Sequence, residues 1–382
     1  MNLERRARNR LRELEAGGLR RRLRPPSGID FSSNDYLCLA GHPQMKQRMA
    51  EAALREGCGS TGSRLLGGER SVFPTLERTF ASWKGVEGSL YFATGYMANL
   101  AVLATFAEEG DIIYSDERNH ASLIDGCRLS RARRVIFPHQ DLKSLAGLFQ
   151  EQSGGQRFVV VESLFSMDGD MAPLAEYAAL CRAFGAALIV DEAHAVGIYG
   201  QRGSGLIEAS GAGQDVFVSI NPAGKALGVS GAFVAGPQWA IDYLIQRARP
   251  FVFSTAPPPA VGAALEASLE LVSAEPERRE RLQKLAIYLR RRLTEAGVAV
   301  PAGESQIIPV VIGDNNAAVA AAGALQKGGY DVRAIRPPTV PPGTARLRLS
   351  VNVNLGEQTL DRFADLLGKT VKEHAPCRAA SS

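Results

Sequence analysis

The sequence has no run of 18 or more apolar residues and no apolar core near its N-terminus, so neither a membrane-spanning helix nor a secretory signal is expected. It also has no C-x-x-C pair. Its five cysteines (Cys38, Cys58, Cys127, Cys181 and Cys377) lie far apart, and an odd number leaves at least one thiol unpaired. That spacing argues against a zinc cluster and predicts a reducing, cytoplasmic setting with no bound metal. Internal repeats are absent. Net charge is small outside one place: the total is +4, yet residues 1 to 24 carry nine Arg against three Glu, or +6, leaving −2 for the rest. This basic arm lacks the interleaved aromatics of a nucleic-acid surface, and Leu3, Ala7, Leu11 and Leu14 recur at helical spacing. The expectation is an amphipathic helix packed on a larger body with its basic face in water, and no nucleic-acid partner. A mitochondrial transit peptide would be rich in Ser and poor in acids, and the arm is neither.

What is present is a chain of 382 residues, 45% apolar, enough for a large core, two domains and a terminal arm. The expected segments are an arm at 1–30, a large domain at 31–262 ending near the Pro-rich STAPPPAVG, and a smaller α+β domain at 263–382. HAPCRAASS after about 374 reads as unstructured. Continuous apolar runs at 111–116, 132–138, 157–163, 186–194, 215–220 and 231–236 read as strands buried on both faces. Helical stretches such as 172–184 separate many of them, so an α/β domain with a mainly parallel sheet is predicted. Ligands of such sheets bind beyond the carboxyl ends of the strands.

That rule selects residues. His120 follows DIIY, Glu162 and Ser166 follow RFVVV, Asp191 and His194 follow AALIV, and Lys225 follows DVFVSI. Each alone has an ordinary reading as a cap or a solvated turn residue; their coincidence is what counts. Lys225 sits between glycines in GKALGVSGAFVAG, and a lysine amine taken out of water becomes a nucleophile for carbonyl carbon. GSLYFATGY followed by MANLAVLATFA reads as strand, glycine turn and helix, which makes Thr94 to Met97 a candidate phosphate cradle, or Gly95 simply a turn residue. GSTGSRLLGG at 59–68 is either a flexible loop or a place where backbone approaches a ligand. Reading Asp191, His194 and His120 as metal ligands would leave the lysine and the glycine turn unexplained.

Taken together, TGYMAN, NHASLIDG, FSMDGD, VDEAH, GKALGVSGA and AIRPPTVPPGTARLRLS resemble the α-oxoamine synthases, pyridoxal-phosphate enzymes that condense an amino acid with an acyl-CoA. The resemblance spans about residues 20 to 370, and the IRPPTVPPGTARLR segment looks most like the biotin-pathway branch. It implies the aspartate-aminotransferase-like fold, pyridoxal 5'-phosphate (PLP) as cofactor, L-alanine and a pimeloyl thioester (CoA or carrier protein) as substrates, and a homodimer with shared sites. Glycine- or serine-using relatives with other acyl-CoAs, and a dimeric binding protein that has lost its cofactor, are the alternatives.

Residue by residue, the resemblance makes Lys225 the Schiff-base lysine and Asp191 the partner of the pyridine nitrogen. His120 becomes the ring-stacking group, and His194 with Ser166 the contacts to the phenolic oxygen. Gly95 and Tyr96 match the family's glycine–aromatic pair. Ser254 and Thr255 match a pair that reaches the phosphate from the neighbouring subunit. Arg348, Asn34 and, more loosely, Arg20 match substrate-binding positions; Arg21 and Arg22 compete with Arg20. One departure stands out: the family has a threonine three residues before the lysine, and here that residue is Pro222, which has neither hydroxyl nor N–H to offer. Ser219 or Asn221 is the expected substitute.

Overall fold

The computed structural model describes residues 2–151 and 154–374; the tail beyond 374, with Cys377, lies outside the described residues. Contacts divide the chain into a smaller unit (Met1–Tyr36, Met167–Gly169, Glu280–Ser382) and a larger one (Leu37–Ser166, Asp170–Arg279).

The chain starts with α1 (Leu3–Ala16) and β1 (Ile29–Asp30) in the smaller unit. Asn2 caps α1 by accepting the Glu4 N–H, and the pairs Arg8–Glu4 and Arg10–Glu13 run along its surface. The predicted helix is present, but it buries no residue: Leu3 is 68% and Leu11 44% exposed. The expectation that it packs on a larger body is therefore not met within this chain. Four well-spaced apolar residues among arginines hold too little apolar area, and local capping and ion pairs define the helix instead.

The larger unit continues with α2 (Pro43–Glu56), α3 (Val72–Lys84), β2 (Gly88–Phe92), α4 (Gly95–Phe106), β3 (Ile112–Asp116), α5 (Ala121–Leu129), β4 (Arg133–Phe137), α6 (Leu142–Glu151) and β5 (Arg157–Glu162). It is completed by α7 (Leu174–Phe184), β6 (Ala186–Asp191), α8 (Leu206–Ala209), β7 (Val216–Pro222), β8 (Ala232–Gly236), α9 (Gln238–Arg247), α10 (Arg249–Val252) and α11 (Pro259–Ala274). β2 to β8 form one seven-stranded sheet in the order β2-β8-β7-β6-β5-β3-β4. β8 runs antiparallel to both neighbours and every other pairing is parallel, the mainly parallel α/β sheet that the apolar runs predicted.

Helices on the sheet complete the core, in which Ile113, Val160, Ile189, Val218 and Val234 from five strands meet Ala101, Val102 and Leu103 of α4. Gly85 and Gly185 stop α3 and α7 in the left-handed conformation, their N–H groups closing onto the last carbonyls. The glycine-rich loop at 59–68 is a close approach of chain to itself: a Cβ on Gly68 would lie 2.0 Å from the Gly62 carbonyl oxygen. The helix α11 packs on α2 and α3, so contacts carry the larger unit on to Arg279, past the 262/263 boundary that composition suggested.

The smaller unit resumes within α12 (Pro276–Glu295), which begins at the proline expected to break the long helical region, a position where proline's missing N–H costs nothing. It continues with β9 (Ile307–Gly313), α13 (Asn315–Lys327), β10 (Tyr330–Asp331), β11 (Ala334–Ile335), β12 (Ala345–Ser350) and α14 (Glu357–His374). β11, β12 and β9 form an antiparallel sheet, β1 pairs in parallel with β10, and α13 packs on the sheet and on α14. Phe31 stacks on Phe363 with ring centres 3.9 Å apart, tying the N-terminal segment to α14.

Candidate active site

The turn between β7 and β8 carries Lys225. Three backbone hydrogen bonds close it: Ala223 N–H to Gly231 O (2.8 Å), Gly228 N–H to Lys225 O (2.8 Å) and Val229 N–H to Ala223 O (3.0 Å). Its glycines are there for room. Gly228 and Gly231 have φ of 70° and 82°, and a side chain on Gly231 would run into the Tyr91 hydroxyl, which donates to Ser230 O at 2.8 Å. The lysine lines a cavity of about 320 Å³ together with His120, Asp191, His194, Gly95 and Tyr96. These residues, singled out from sequence, therefore meet in one place, delivered by four strand ends or turns: His120 after β3, Gly95 and Tyr96 after β2, Asp191 and His194 at the end of β6, and Lys225 after β7.

Asp191 ends β6 and is 4% exposed. Its Oδ1 accepts the Ala193 N–H and its Oδ2 accepts from Asn99 Nδ2, both at 2.8 Å. Asn99 also donates to Ser122 Oγ (2.8 Å), and Ser122 lies 2.7 Å from His120 Nδ1. The carboxylate and the imidazole are thus oriented by one chain of side chains from α4 and α5. Desolvation lowers the His120 pKa, and Lys225 adds to this while Asp191 opposes it, so the ring is neutral at physiological pH. Asn99 and Ser122 were not named as site residues from sequence, although both lie inside quoted motifs; Asn99 is one helical turn beyond Gly95.

The start of α4 forms another wall. Thr94 caps the helix by accepting the Met97 N–H (3.1 Å), and its carbonyl takes the Ala98 N–H. Helix geometry leaves the N–H groups of Gly95 and Tyr96 without intrahelical acceptors, at the positive end of the dipole. A Cβ on Gly95 would sit 2.8 Å from Pro222 Cγ, so the proline and the glycine need each other's shape. The Tyr96 hydroxyl donates to Asp125, which also pairs with Arg128.

The expected substitutes for the missing threonine point elsewhere. Asn221 Nδ2 donates to Ser219 Oγ (2.9 Å) and to Phe233 O (3.3 Å), both side chains are buried, and neither lines the cavity. Strand alternation decides this: Asn221 and Ser219 share a sheet face, and Pro222 takes the other. The hydroxyl-bearing residues that line the cavity are Thr94, Tyr96, Ser122 and Ser230. Ser166 does not line it, but its backbone N–H reaches the Glu162 carboxylate. Thr255 and Ser254 lie in a separate narrow recess with Arg64, Tyr91 and Met97.

In the smaller unit, Arg348 of β12 is 7% exposed. It donates to Asn34 Oδ1 (3.0 Å), Ser350 Oγ (2.9 Å) and the Tyr36 hydroxyl (3.2 Å), and that hydroxyl donates to Asn34 Oδ1 (3.0 Å). Two residues matched separately from sequence, 314 positions apart, are therefore hydrogen-bonded partners. Burial raises the Tyr36 pKa, which keeps the phenol a donor. Arg20 pairs with Glu15 at 3.0 Å, Arg22 reaches the same carboxylate, and Arg21 donates to Thr339. Among the described residues, no group of three or more His, Cys, Asp or Glu side chains is placed to hold a metal ion, and no helix is long and apolar enough to cross a membrane.

Known proteins match over most of the chain. The family described as aminotransferase class I and II matches residues 26–367. A protein of Anaeromyxobacter dehalogenans named 8-amino-7-oxononanoate synthase is 45% identical over 380 residues, covering 96% of this chain and 95% of that one. A protein of the same name from Bordetella petrii is 44% identical, covering 95% and 96%. Among solved structures, a serine palmitoyltransferase from S. paucimobilis with a bound PLP–myriocin aldimine superposes with a TM-score of 0.91 at 27% identity, covering 98% of this chain and 99% of that one. An 8-amino-7-oxononanoate synthase from Francisella tularensis superposes with a TM-score of 0.78 at 28% identity, covering 91% and 98%.

Proposed function

Since the chain belongs to the aminotransferase class I and II family, among relatives of the α-oxoamine synthase type, we propose that it is a PLP-dependent acyltransferase of biotin biosynthesis. It condenses L-alanine with a pimeloyl thioester to 8-amino-7-oxononanoate, releasing carbon dioxide and CoA or a carrier thiol, as a homodimer in the cytoplasm. The observation that carries this reading is the meeting of Lys225, Asp191, His120 and His194 with the open end of α4 around one cavity. The cavity suits the cofactor: it has the open N-terminal end of α4, an amine, a carboxylate, and two buried oxygens, Asn99 Oδ1 and Glu162 Oε1, that have no protein partner.

Bound PLP supplies an aldehyde for the lysine amine and a protonated ring that takes up the electron pair left at the amino acid's α-carbon. Lys225 Nζ would hold the aldehyde carbon, and its free amine would accept the α-proton. Asp191, held by Asn99 and the Ala193 N–H, keeps its negative charge directed at the ring nitrogen. His120 would cover the ring face and His194, with Ser166, would hold the phenolic oxygen. Gly95 and Tyr96 N–H groups would hold the phosphate, Ser230, which lines the cavity, would take the part of the missing threonine hydroxyl, and Thr255 would reach across from a second copy. Arg348, fixed by Asn34 and Tyr36, binds the substrate carboxylate, with Arg20 as a further contact.

The test is CoA release by purified protein supplied with PLP, pairing L-alanine, glycine or L-serine with pimeloyl-, acetyl- or palmitoyl-CoA. L-alanine with pimeloyl-CoA is expected to exceed every other pair. Preference for L-serine with palmitoyl-CoA would favour the second reading, to which the TM-score of 0.91 lends weight. Protein that stays colourless with added PLP would refute catalysis altogether.

A further inference from the structure

Two carboxyl groups stand side by side at the cavity, Glu162 ending β5 and Asp191 ending β6, paired in register. They are not equivalent. Both oxygens of Asp191 accept hydrogen bonds. Glu162 is 2% exposed, lines the cavity, and its Oε1 has no hydrogen-bond partner. A buried polar atom left open is costly, so its persistence points to a partner that is not part of the polypeptide.

The groups around Glu162 are Asp191 on β6, Lys225 on the β7–β8 turn, the rings of His120 and His194, and the backbone N–H groups of His120 and Ser166. Burial, and then the Asp191 charge, push the Glu162 pKa up to about 8; Lys225 and the two N–H groups pull the other way. Two neighbouring acids in one desolvated site do not both ionise, and the better-solvated or better-bonded one keeps the charge. Both oxygens of Asp191 are satisfied within the protein and Glu162 Oε1 is not, so Glu162 is the acid with an oxygen open to carry a proton.

We propose that Glu162 is a further functional residue of this cavity, presenting a carboxyl O–H as a hydrogen-bond donor to an acceptor atom of the bound cofactor. The inference rests on the cavity being a PLP site. It gives the two acids separate tasks: Asp191 supplies the single negative charge of the cavity floor, and Glu162 supplies a neutral donor where a second anion would repel the cofactor's own oxygens.

The experiment compares PLP binding, read from visible absorbance and calorimetry between pH 6 and 10, in wild type, Glu162→Gln and Glu162→Leu, with melting curves for each. Infrared difference spectra of the apo-proteins follow the protonated-carboxyl band. Wild type should lose affinity as pH rises through about 8, by about tenfold more than Glu162→Gln, which keeps an N–H donor that cannot ionise. Glu162→Leu should bind about tenfold more weakly than wild type at pH 7. The carboxyl band should be present in wild type at pH 7, absent in Glu162→Gln, and lost above pH 8. Wild-type affinity in Glu162→Leu, the full pH dependence in Glu162→Gln, or no carboxyl band at pH 7 would overturn the proposal while PLP binding itself stands. Wild type that takes up no PLP would overturn the cofactor reading and this proposal together; the infrared arm would still report which acid holds the proton.

Discussion

Asp191 and Glu192 are consecutive, both acidic and both buried, yet they belong to different kinds of site. Glu192 turns away from the cavity into a separate cluster, where its Oε2 pairs with Lys84 and its Oε1 accepts the Ile207 N–H at 2.9 Å. Lys84 also donates to Ser204 O at 2.6 Å. Asp191 lines a cavity with Lys225 and lies next to a carboxyl oxygen that nothing in the protein satisfies. One lysine–carboxylate pair is complete within the polypeptide, and the other group is arranged around a space. A buried charge is therefore not by itself a sign of function; open valence beside a cavity is the better sign.

The contrast breaks most sharply in the two lysines. Lys225→Ala should lower turnover by about a thousandfold or more with little change in melting temperature. Lys84→Met should leave Glu192 buried without its partner and destabilise the protein by about 3–5 kcal/mol, while molecules that still fold turn over near the wild-type rate. Denaturant melts and initial rates on the same preparations check both. The two acids should divide likewise: Asp191→Asn should cost about 10²–10³ in kcat and little stability, and Glu192→Gln the reverse.

In the smaller unit, Arg348→Lys would keep the charge but lose the fork that grips Asn34, Ser350 and Tyr36. The KM for the amino acid should rise about 10- to 100-fold with a lesser effect on kcat, read from saturation curves. The smallest effect is expected at a third ionic cluster. His139 is held at Nδ1 by Asp116 (2.9 Å) and at Nε2 by Asp170 (2.5 Å). Burial pulls its pKa down, but the two carboxylates outweigh that and raise it to about 9. A raised pKa means that this stabilisation is full below the ordinary histidine value of about 6.5 and is lost as pH rises through about 9. Wild type should lose about 1–2 kcal/mol across that window, and His139→Gln should lose less.

The sheet and most of the residues that line the candidate cavity were legible in the sequence because both rest on local pattern. Doubly buried parallel strands are continuous apolar runs, and a polar residue just past such a run falls at the ligand-binding edge. Lys225, Asp191, His120 and His194 were found this way. What stayed hidden depends on side-chain direction. Glu162 was noticed at a strand end but given no role, because nothing local says that its Oε1 is left open. Ser219 and Asn221 were expected to replace the threonine missing at Pro222, and strand alternation turns both away from the cavity. Tyr36 was missed because its partner, Arg348, is distant in sequence. The N-terminal helix was foreseen from spacing, but whether it is covered depends on what meets its apolar stripe, which its own sequence does not encode.

The most direct measurement concerns the two lysines. Protein incubated with PLP is treated with borohydride, digested, and its peptides mapped for the phosphopyridoxyl group. The label is expected on Lys225, at close to one per chain, and absent from Lys84. Label spread over surface lysines, placed on Lys84, or missing altogether would contradict the assignment of this cavity as the active site.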